Sequence, residues 1–303
     1  MRSILSLTSE GITYVEGDGN PRAGSVSISK ACKVEIPKNV INNGLINDTD
    51  TLGVRLSDFM SANNINVKAV DLVIGVGRVL SREMTVPLAK EKEMRTIVQN
   101  EVYRSVGTED EYIVDYVVLS ADEQAKAAKV AAYAVTSRVI KSFVDFMTDS
   151  GLECKTLDFT TNCLGKLVGR YDSESNVTSV CAINRDAITM ALLDKGVPVL
   201  SRNYKIDYDM FRRPETMSIA VEELVDHYGR LVQFQTSRNR DEKISNVYFT
   251  GDFEGIASVN AKFRELTTGD SSVFWNDSTW LSAPSDFNVN EYAYAVGSLV
   301  GRV

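Results

Sequence analysis

Residues 177–204, VTSVCAINRDAITMALLDKGVPVLSRNY, read as three consecutive strands and set the fold class. Val177–Ile183 is the first strand, Ala187–Leu193 the second and Val197–Tyr204 the third. Asp194-Lys195-Gly196 closes the second turn, because Gly takes the positive φ that a tight hairpin needs. The bend between the first two strands is Asn184-Arg185-Asp186, and its content bears directly on function.

Toward higher numbers, Pro214 stands at the first turn of a long helix whose apolar stripe is Met217, Val221, Leu224, Val225, Tyr228, Leu231 and Val232. Ser237–Lys243 is a charged turn. Asn246–Thr250 is a buried strand followed by Gly251-Asp252, and Ile256–Leu266 is a helix. The stretch from there to Asn288, with Trp275 and Trp280, shows no defined element. A closing helix puts Tyr292, Ala295, Val296, Leu299, Val300 and Val303 on one face. Its small residues, Ala293, Gly297, Ser298 and Gly301, permit close backbone approach and read as packing.

The first half has a matching rhythm. Ser3–Thr8 and Ile12–Glu16 form a hairpin, Gly17–Gly24 is a turn cluster typical of a surface loop, and Ser25–Ile36 is a third strand. Leu52–Ala62 is a helix and Ala69–Val76 a buried strand. An interpolated segment follows: strand Leu80–Val86 ending at Pro87, amphipathic helix Glu91–Val106, strand Tyr112–Leu119, acidic turn Asp122-Glu123-Gln124 and strand Lys129–Val135. A helix over Arg138–Ser150 comes next, capped by Ser137 and closed at Gly151, and then a strand at Cys154–Asp158. Thr161–Tyr171 returns as a helix, and Asp172–Asn176 is a polar linker. Two β-β-β-α-β units with helices between them describe a duplicated α/β architecture.

Composition narrows the function classes. The 303 residues hold 44% apolar and 24% charged side chains, ordinary for a globular protein of two lobes. A net charge of -8 disfavours nucleic acid and anionic lipid as partners. The nearest basic group, Arg202, Lys205, Arg212 and Arg213, reads as a solvated loop. Cys32, Cys154, Cys163 and Cys181 form no Cys-x-x-Cys pair, and His227 is the only histidine, so no zinc site is expected and the thiols read as free. No base is placed by sequence near Cys163 to make it a nucleophile. Met1–Thr8 is too short for a signal peptide, and no window approaches the ~20 apolar residues of a membrane span, which points to the cytoplasm.

Several stretches, in order, carry a resemblance. VPLAKEKEMRTIVQNEVYRSV with YIVDYVVL, AAYAVTSRVIKSFVDFMTDSGLECKTLDF, ALLDKGVPVLSRNY and EYAYAVGSLVGR together resemble the PilM family of type IV pilus assembly proteins, which is actin-like and FtsA-like. The resemblance covers nearly the whole chain. It implies a duplicated actin-like two-lobed α/β fold: residues 1–76 and 157–176 as the first lobe, 177–303 as the second, and 77–156 as an inserted small β-α-β-β-α-β module. It implies a cytoplasmic protein at the inner face of the membrane, reaching that membrane only through a partner. That partner is the N-terminal cytoplasmic tail of a PilN-like inner-membrane protein; contact with other pilus machinery, including the assembly ATPase, is implied too. The resemblance fixes no oligomeric state.

An actin-like ATP and Mg²⁺ site needs two Asp-Ile-Gly-type turns, whose glycines let backbone N–H groups approach phosphates, and a Gly-Gly turn beside the adenosine. Aligned on the family, the first turn is Ser6-Leu7-Thr8, with Thr13 where a Lys often lies; the second is Ala182-Ile183-Asn184, followed by Arg185; the third is Thr250-Gly251-Asp252. Gly297 of the closing helix completes the candidate cleft. Both aspartates and both phosphate-turn glycines are absent. Asp186 reads as local turn chemistry. ATP turnover is therefore not expected, and the cleft reads as vestigial.

The leading expectation is thus a non-catalytic scaffold that takes the partner tail in a groove between the first lobe and the module, with Leu80, Met84, Val86 and Ile97 as candidate lining residues, although core packing is the better reading of each taken singly. The alternative is an actin-like ATPase or sugar-kinase-like enzyme coupling nucleotide to pilus, cell-division or secretion assembly. An FtsA relative would continue into an amphipathic membrane helix and a type II secretion L-type protein into a membrane span; Val303 follows the closing helix directly, which disfavours both.

Overall fold

Alternating apolar residues build the first sheet strand by strand. β1 (Arg2–Leu7) runs antiparallel to β2 (Gly11–Asn20), and β2 to β3 (Ser25–Glu35). The structure, a computed structural model, describes residues 1–20, 25–42, 44–75, 79–107, 110–274 and 279–300, the side chain of Asn20 excepted. Pro21 to Gly24, Val76, Gly77, Trp275, Gly301 and Val303, which figure in the sequence-based expectations, lie outside the described residues.

Gly17–Asn20, predicted as loop, is strand paired with Ser25–Ile28. The glycines mark close backbone approach rather than a turn: a Cβ on Gly19 would meet the Leu299 carbonyl oxygen at 2.2 Å. β4 (Ile41–Asn42) and β5 (Leu45–Ile46) form a separate two-stranded ladder. Asp48 caps α1 (Thr49–Ala62) by accepting the Thr51 N–H at 2.9 Å, and Leu52, Leu56 and Phe59 face the core. β6 (Ala69–Ile74) then pairs in parallel with β1.

The interpolated segment begins with β7 (Leu80–Pro87), α2 (Glu91–Val106), β8 (Tyr112–Asp122) and β9 (Ala127–Thr136). These strands make their own sheet in the order β7-β9-β8, with α2 covering one face. α3 (Ser137–Asp149) and β10 (Glu153–Phe159) follow in the predicted order, yet both return to the first lobe. β10 pairs in parallel with β6, and Phe143, Phe146 and Met147 of α3 join the first-lobe core. Ser137, predicted as the cap, is the first helical residue; Thr136 takes the cap position and no side-chain oxygen bonds the turn. Gly151 adopts φ +73° just past the helix end, as its position there requires.

α4 (Thr160–Tyr171) leads into the second half: β11 (Val177–Ile183), β12 (Ile188–Asp194), β13 (Val197–Tyr204), α5 (Tyr208–Arg212), α6 (Pro214–Arg238), β14 (Asn246–Thr250), α7 (Ile256–Leu266), β15 (Asp270–Val273), β16 (Leu281–Ser282) and α8 (Ala293–Leu299). At the β12–β13 turn both Lys195 and Gly196 take positive φ, 48° and 74°. Five elements have no counterpart in the sequence reading: the two-residue strands β4 and β5, the short helix α5, and β15 and β16, brief strands inside the stretch read as undefined.

Those strands complete the duplication. The second sheet runs β13-β12-β11-β14-β15 and the first runs β3-β2-β1-β6-β10, with two antiparallel pairings followed by two parallel ones in each. β16 adds to the outer edge of β3 in the first sheet, although it lies late in the chain. Between the sheets sit α4 and α8, whose Cys163, Leu164, Leu167, Val296 and Leu299 are buried together with residues of both sheets. The four cysteines are free, Cys163 and Cys181 buried, Cys32 and Cys154 half-buried. Among the described residues no helix is long and apolar enough to cross a membrane, and no cluster of His, Cys, Asp and Glu is fit to hold a metal ion.

Candidate functional site

The duplicated sheets place their first turns face to face across an interlobe cleft. Thr8 and Glu10 come from the β1–β2 turn, Asn184 and Arg185 from the β11–β12 turn, and Gly251 and Asp252 from the end of β14. Thr13 lines the same cleft from β2. Six of the nine expected cleft residues thus converge. Ser6, Ala182 and Gly297 do not. Ser6 is a buried strand residue between Thr13 and Val73. Ala182 is fully buried between Thr189 and Thr250. Gly297 meets α4: a Cβ there would lie 2.1 Å from the Cys163 carbonyl oxygen, so its smallness serves helix packing.

Glu10, which no motif singled out, dominates the cleft. Its carboxylate accepts the Arg185 backbone N–H at 2.7 Å, joining the two lobes. Burial pushes the Glu10 carboxyl up to about 7, against the N–H bond that lowers it, with Asp252 adding to the rise. Lys33 of β3 reaches Asp252 at 2.7 Å and Glu291 at 2.7 Å, and these partners hold its ammonium above the usual lysine value although burial opposes them. Arg185 Nη2 pairs with Glu35 at 2.9 Å. Tyr294 donates its hydroxyl to Asn184 Oδ1 at 2.8 Å.

These ties divide the cleft into cavities of about 580 Å³ and about 240 Å³, which share Thr8, Glu10, Asn184 and Tyr294. The residues present do not fit Mg-ATP. The N–H that the second turn presents is already bonded to a carboxylate, side chains replace both turn glycines, and Glu10, Glu35, Asp252 and Glu291 set negative charge where phosphates would lie. Asp252 stands in the cleft paired with Lys33.

A separate cavity, of about 360 Å³, opens where the module faces the two lobes. Ser81, Asp115, Val117 and Tyr133 line it from the module sheet, Leu157 and Phe159 from β10, and Pro198 from β13. The strands β8, β10 and β13, each the terminal strand of its sheet, all contribute residues to this groove, and on β13 the Pro198 and Val199 carbonyls already accept from Tyr133 and Ser81 of the module. Its floor is polar and satisfied. Asp158 accepts from Lys166 at 2.6 Å, Asn162 at 2.6 Å and the Phe159 N–H at 2.8 Å. Burial pushes the Asp158 carboxyl up, but Lys166 and these hydrogen bonds together hold it below the usual carboxylate range. Arg2 Nε donates to buried Asp71 at 2.8 Å, and Thr156 Oγ1 donates to the same carboxylate at 2.6 Å. Tyr133 donates to the Pro198 carbonyl at 2.6 Å, fixing the module against the second lobe.

The expected groove residues lie elsewhere. Val86 is buried in the module core, with Leu80 and Met84 of β7 and Ile97 of α2 packed against it. Side chains alternate across a strand, so Ser81, one place from Leu80, faces the groove while Leu80 faces the helix.

No protein-family model matches the chain, and no curated protein matches it significantly by sequence. Solved structures do match. The chain superposes on PilM in a PilM–PilN type IV pilus biogenesis complex with a TM-score of 0.82 at 16% identity, over 98% of this chain and 97% of that one. The fold is actin-like, in the form seen in PilM. More distant matches are MreB 5 of Spiroplasma citri bound to AMPPNP (TM-score 0.52, 10% identity, 98% of this chain and 95% of that one) and the cytoplasmic domain of EpsL, an inner-membrane component of the type II secretion system of Vibrio cholerae (TM-score 0.50, 8% identity, 99% and 95%).

Proposed function

We propose that this protein is a non-catalytic scaffold of type IV pilus assembly that binds the N-terminal cytoplasmic tail of a PilN-like inner-membrane protein. The observation that carries this reading is the groove bordered by β8, β10 and β13. An extended peptide is recognised by a terminal strand for its backbone and apolar pockets for alternate side chains, and this groove is lined by the terminal strands β8 and β10, with Val117, Tyr133, Leu157 and Phe159 as walls. The likeness to PilM in a complex with PilN supports the same class of partner. The protein then acts at the inner face of the cytoplasmic membrane and reaches it through that tail, with other pilus machinery, the assembly ATPase included, as further partners. The interlobe cleft supports no nucleotide role, since its turns lack the residues that phosphates require.

Calorimetric titration with synthetic N-terminal tails of candidate PilN-like proteins, without nucleotide, tests this. Saturable binding is expected; no binding across the set sinks the proposal. Titration with Mg-ATP tests the ATPase alternative, which needs micromolar binding and hydrolysis above background.

A further inference from the structure

We infer that Glu10 is a tethered hydrogen-bond acceptor that closes the interlobe cleft: its carboxyl group, carried by the first lobe, takes the backbone N–H of the second-lobe turn that an actin-like site turns toward a phosphate. The function that a bound nucleotide serves in such a fold, holding two lobes together by bonding both turns at once, falls here to a side chain of the protein itself.

The geometry supports this at each point. Glu10 sits on the β1–β2 turn, where its own N–H is directed at Thr8 Oγ1 at 3.3 Å. Its carboxylate spans to the Arg185 N–H at 2.7 Å. A backbone N–H is the group that a phosphate-binding turn presents, and a carboxyl oxygen, ionised or not, can take the place of a phosphate oxygen as its acceptor. The cleft is partitioned at this contact, because both cavities end on Thr8, Glu10, Asn184 and Tyr294. Lys33 with Asp252 and Arg185 with Glu35 reinforce the closure from either side, but as exposed ion pairs of small individual weight.

Closure is linked to protons. The groups facing Glu10 are Arg185 and Asp186 of the opposing bend, Asp252 after β14, Tyr208 of α5, Tyr294 of α8, and Lys33 and Glu35 of β3. Burial among them pushes the Glu10 carboxyl up to about 7, while a solvent-exposed Glu titrates near its ordinary 4.5. The closed cleft therefore holds the proton more tightly than an open one, and opening is favoured as pH rises through about 7. The protonated carboxyl keeps a carbonyl oxygen to accept the N–H.

Hydrogen exchange at the Arg185 amide, corrected for intrinsic rate, tests the inference on the full chain at about pH 6 and about pH 8.5. Wild type is expected to lose protection by roughly tenfold between the two. Glu10→Ala is expected to lose protection at both. Glu10→Gln keeps an acceptor without a titrating group, so its protection should show no pH step. Equal protection in Glu10→Ala and wild type, or a pH step retained in Glu10→Gln, overturns the inference; if Glu10→Ala does not fold, the Glu10→Gln comparison decides alone. Tail titration into Glu10→Gln separates this from the scaffold proposal, because the groove does not include Glu10 and its affinity should be unchanged.

Discussion

Arg238 holds Glu83 in a two-pronged grip, Nε to Oε2 at 2.5 Å and Nη2 to Oε1 at 2.7 Å, and so ties the end of α6 in the second lobe to β7 in the module. The same Nη2 also bonds Asp194 at the end of β12, and Lys129 reaches Glu83 at 3.0 Å. Removing Arg238 takes that partner from Asp194 and leaves Glu83 with Lys129 alone in a poorly solvated seam. Arg238→Ala is expected to destabilise the fold by about 3 kcal/mol, and Arg238→Lys to recover only part of that because one ammonium cannot make the parallel pair. Urea denaturation reads both values, and a wild-type midpoint for Arg238→Ala contradicts the assignment.

The same seam has a defined acid limit. Burial raises the Glu83 carboxyl, but its bonds to Arg238 and Lys129 outweigh this and hold it below the usual value of 4.5. A depressed carboxyl contributes stability that is fully present above its unfolded value and lost as pH falls through the folded one. The loss from this site is therefore expected below about pH 4.5, and Glu83→Gln should flatten the acid limb of the melting temperature against pH. An unchanged acid limb contradicts the seam's role.

Two helical glycines should respond in opposite ways to alanine. Gly297→Ala drives a methyl into the Cys163 carbonyl and forces α8 away from α4, with an expected loss of about 2 kcal/mol or more. Gly229 in α6 has open space around it, so Gly229→Ala should stabilise by about 0.5–1 kcal/mol through helix propensity. Thermal melts of the two variants make the comparison, and equal signs refute the packing account.

The two faces of the module sheet should separate folding from binding. Val86→Ala empties a buried position against α2 and is expected to lower stability by about 1–3 kcal/mol without altering the groove. Val117→Lys places a charge in the groove wall, and should leave stability within about 0.5 kcal/mol while weakening tail binding by roughly tenfold or more. The converse pattern, with binding sensitive to Val86 and indifferent to Val117, places the tail elsewhere.

The strands of the second half were legible because their apolar runs are long and end in recognisable turns: β11, β13 and β14 occupy the predicted residues. β15 and β16 were not, since DSSV and LS carry little apolar signal and owe their extended form to pairing with β14 and β3. Glycines at Gly17 and Gly19 signal loops locally, and only the closeness of Leu299 reveals why they stand in a strand. The cleft was half legible. Missing turn residues are visible in sequence, whereas the bond between Glu10 and Arg185 joins positions 175 apart and leaves no local trace. Leu80, Met84, Val86 and Ile97 belong to the module core around α2, the packing that the sequence also allowed for each, and alternation alone does not say which face of the sheet meets the helix.

The pairing of β16 with β3 also carries a consequence for biogenesis. The first-lobe sheet takes its outermost strand from residues 281–282, and α8, over 293–299, backs Gly17 and Gly19 of β2. A ribosome that has released only the first half of the polypeptide has thus released a lobe with a bare strand edge and an uncovered apolar face. The nascent N-terminal half must be kept from aggregating until the closing segments emerge, and premature termination anywhere before residue 281 should yield insoluble product rather than a smaller working lobe.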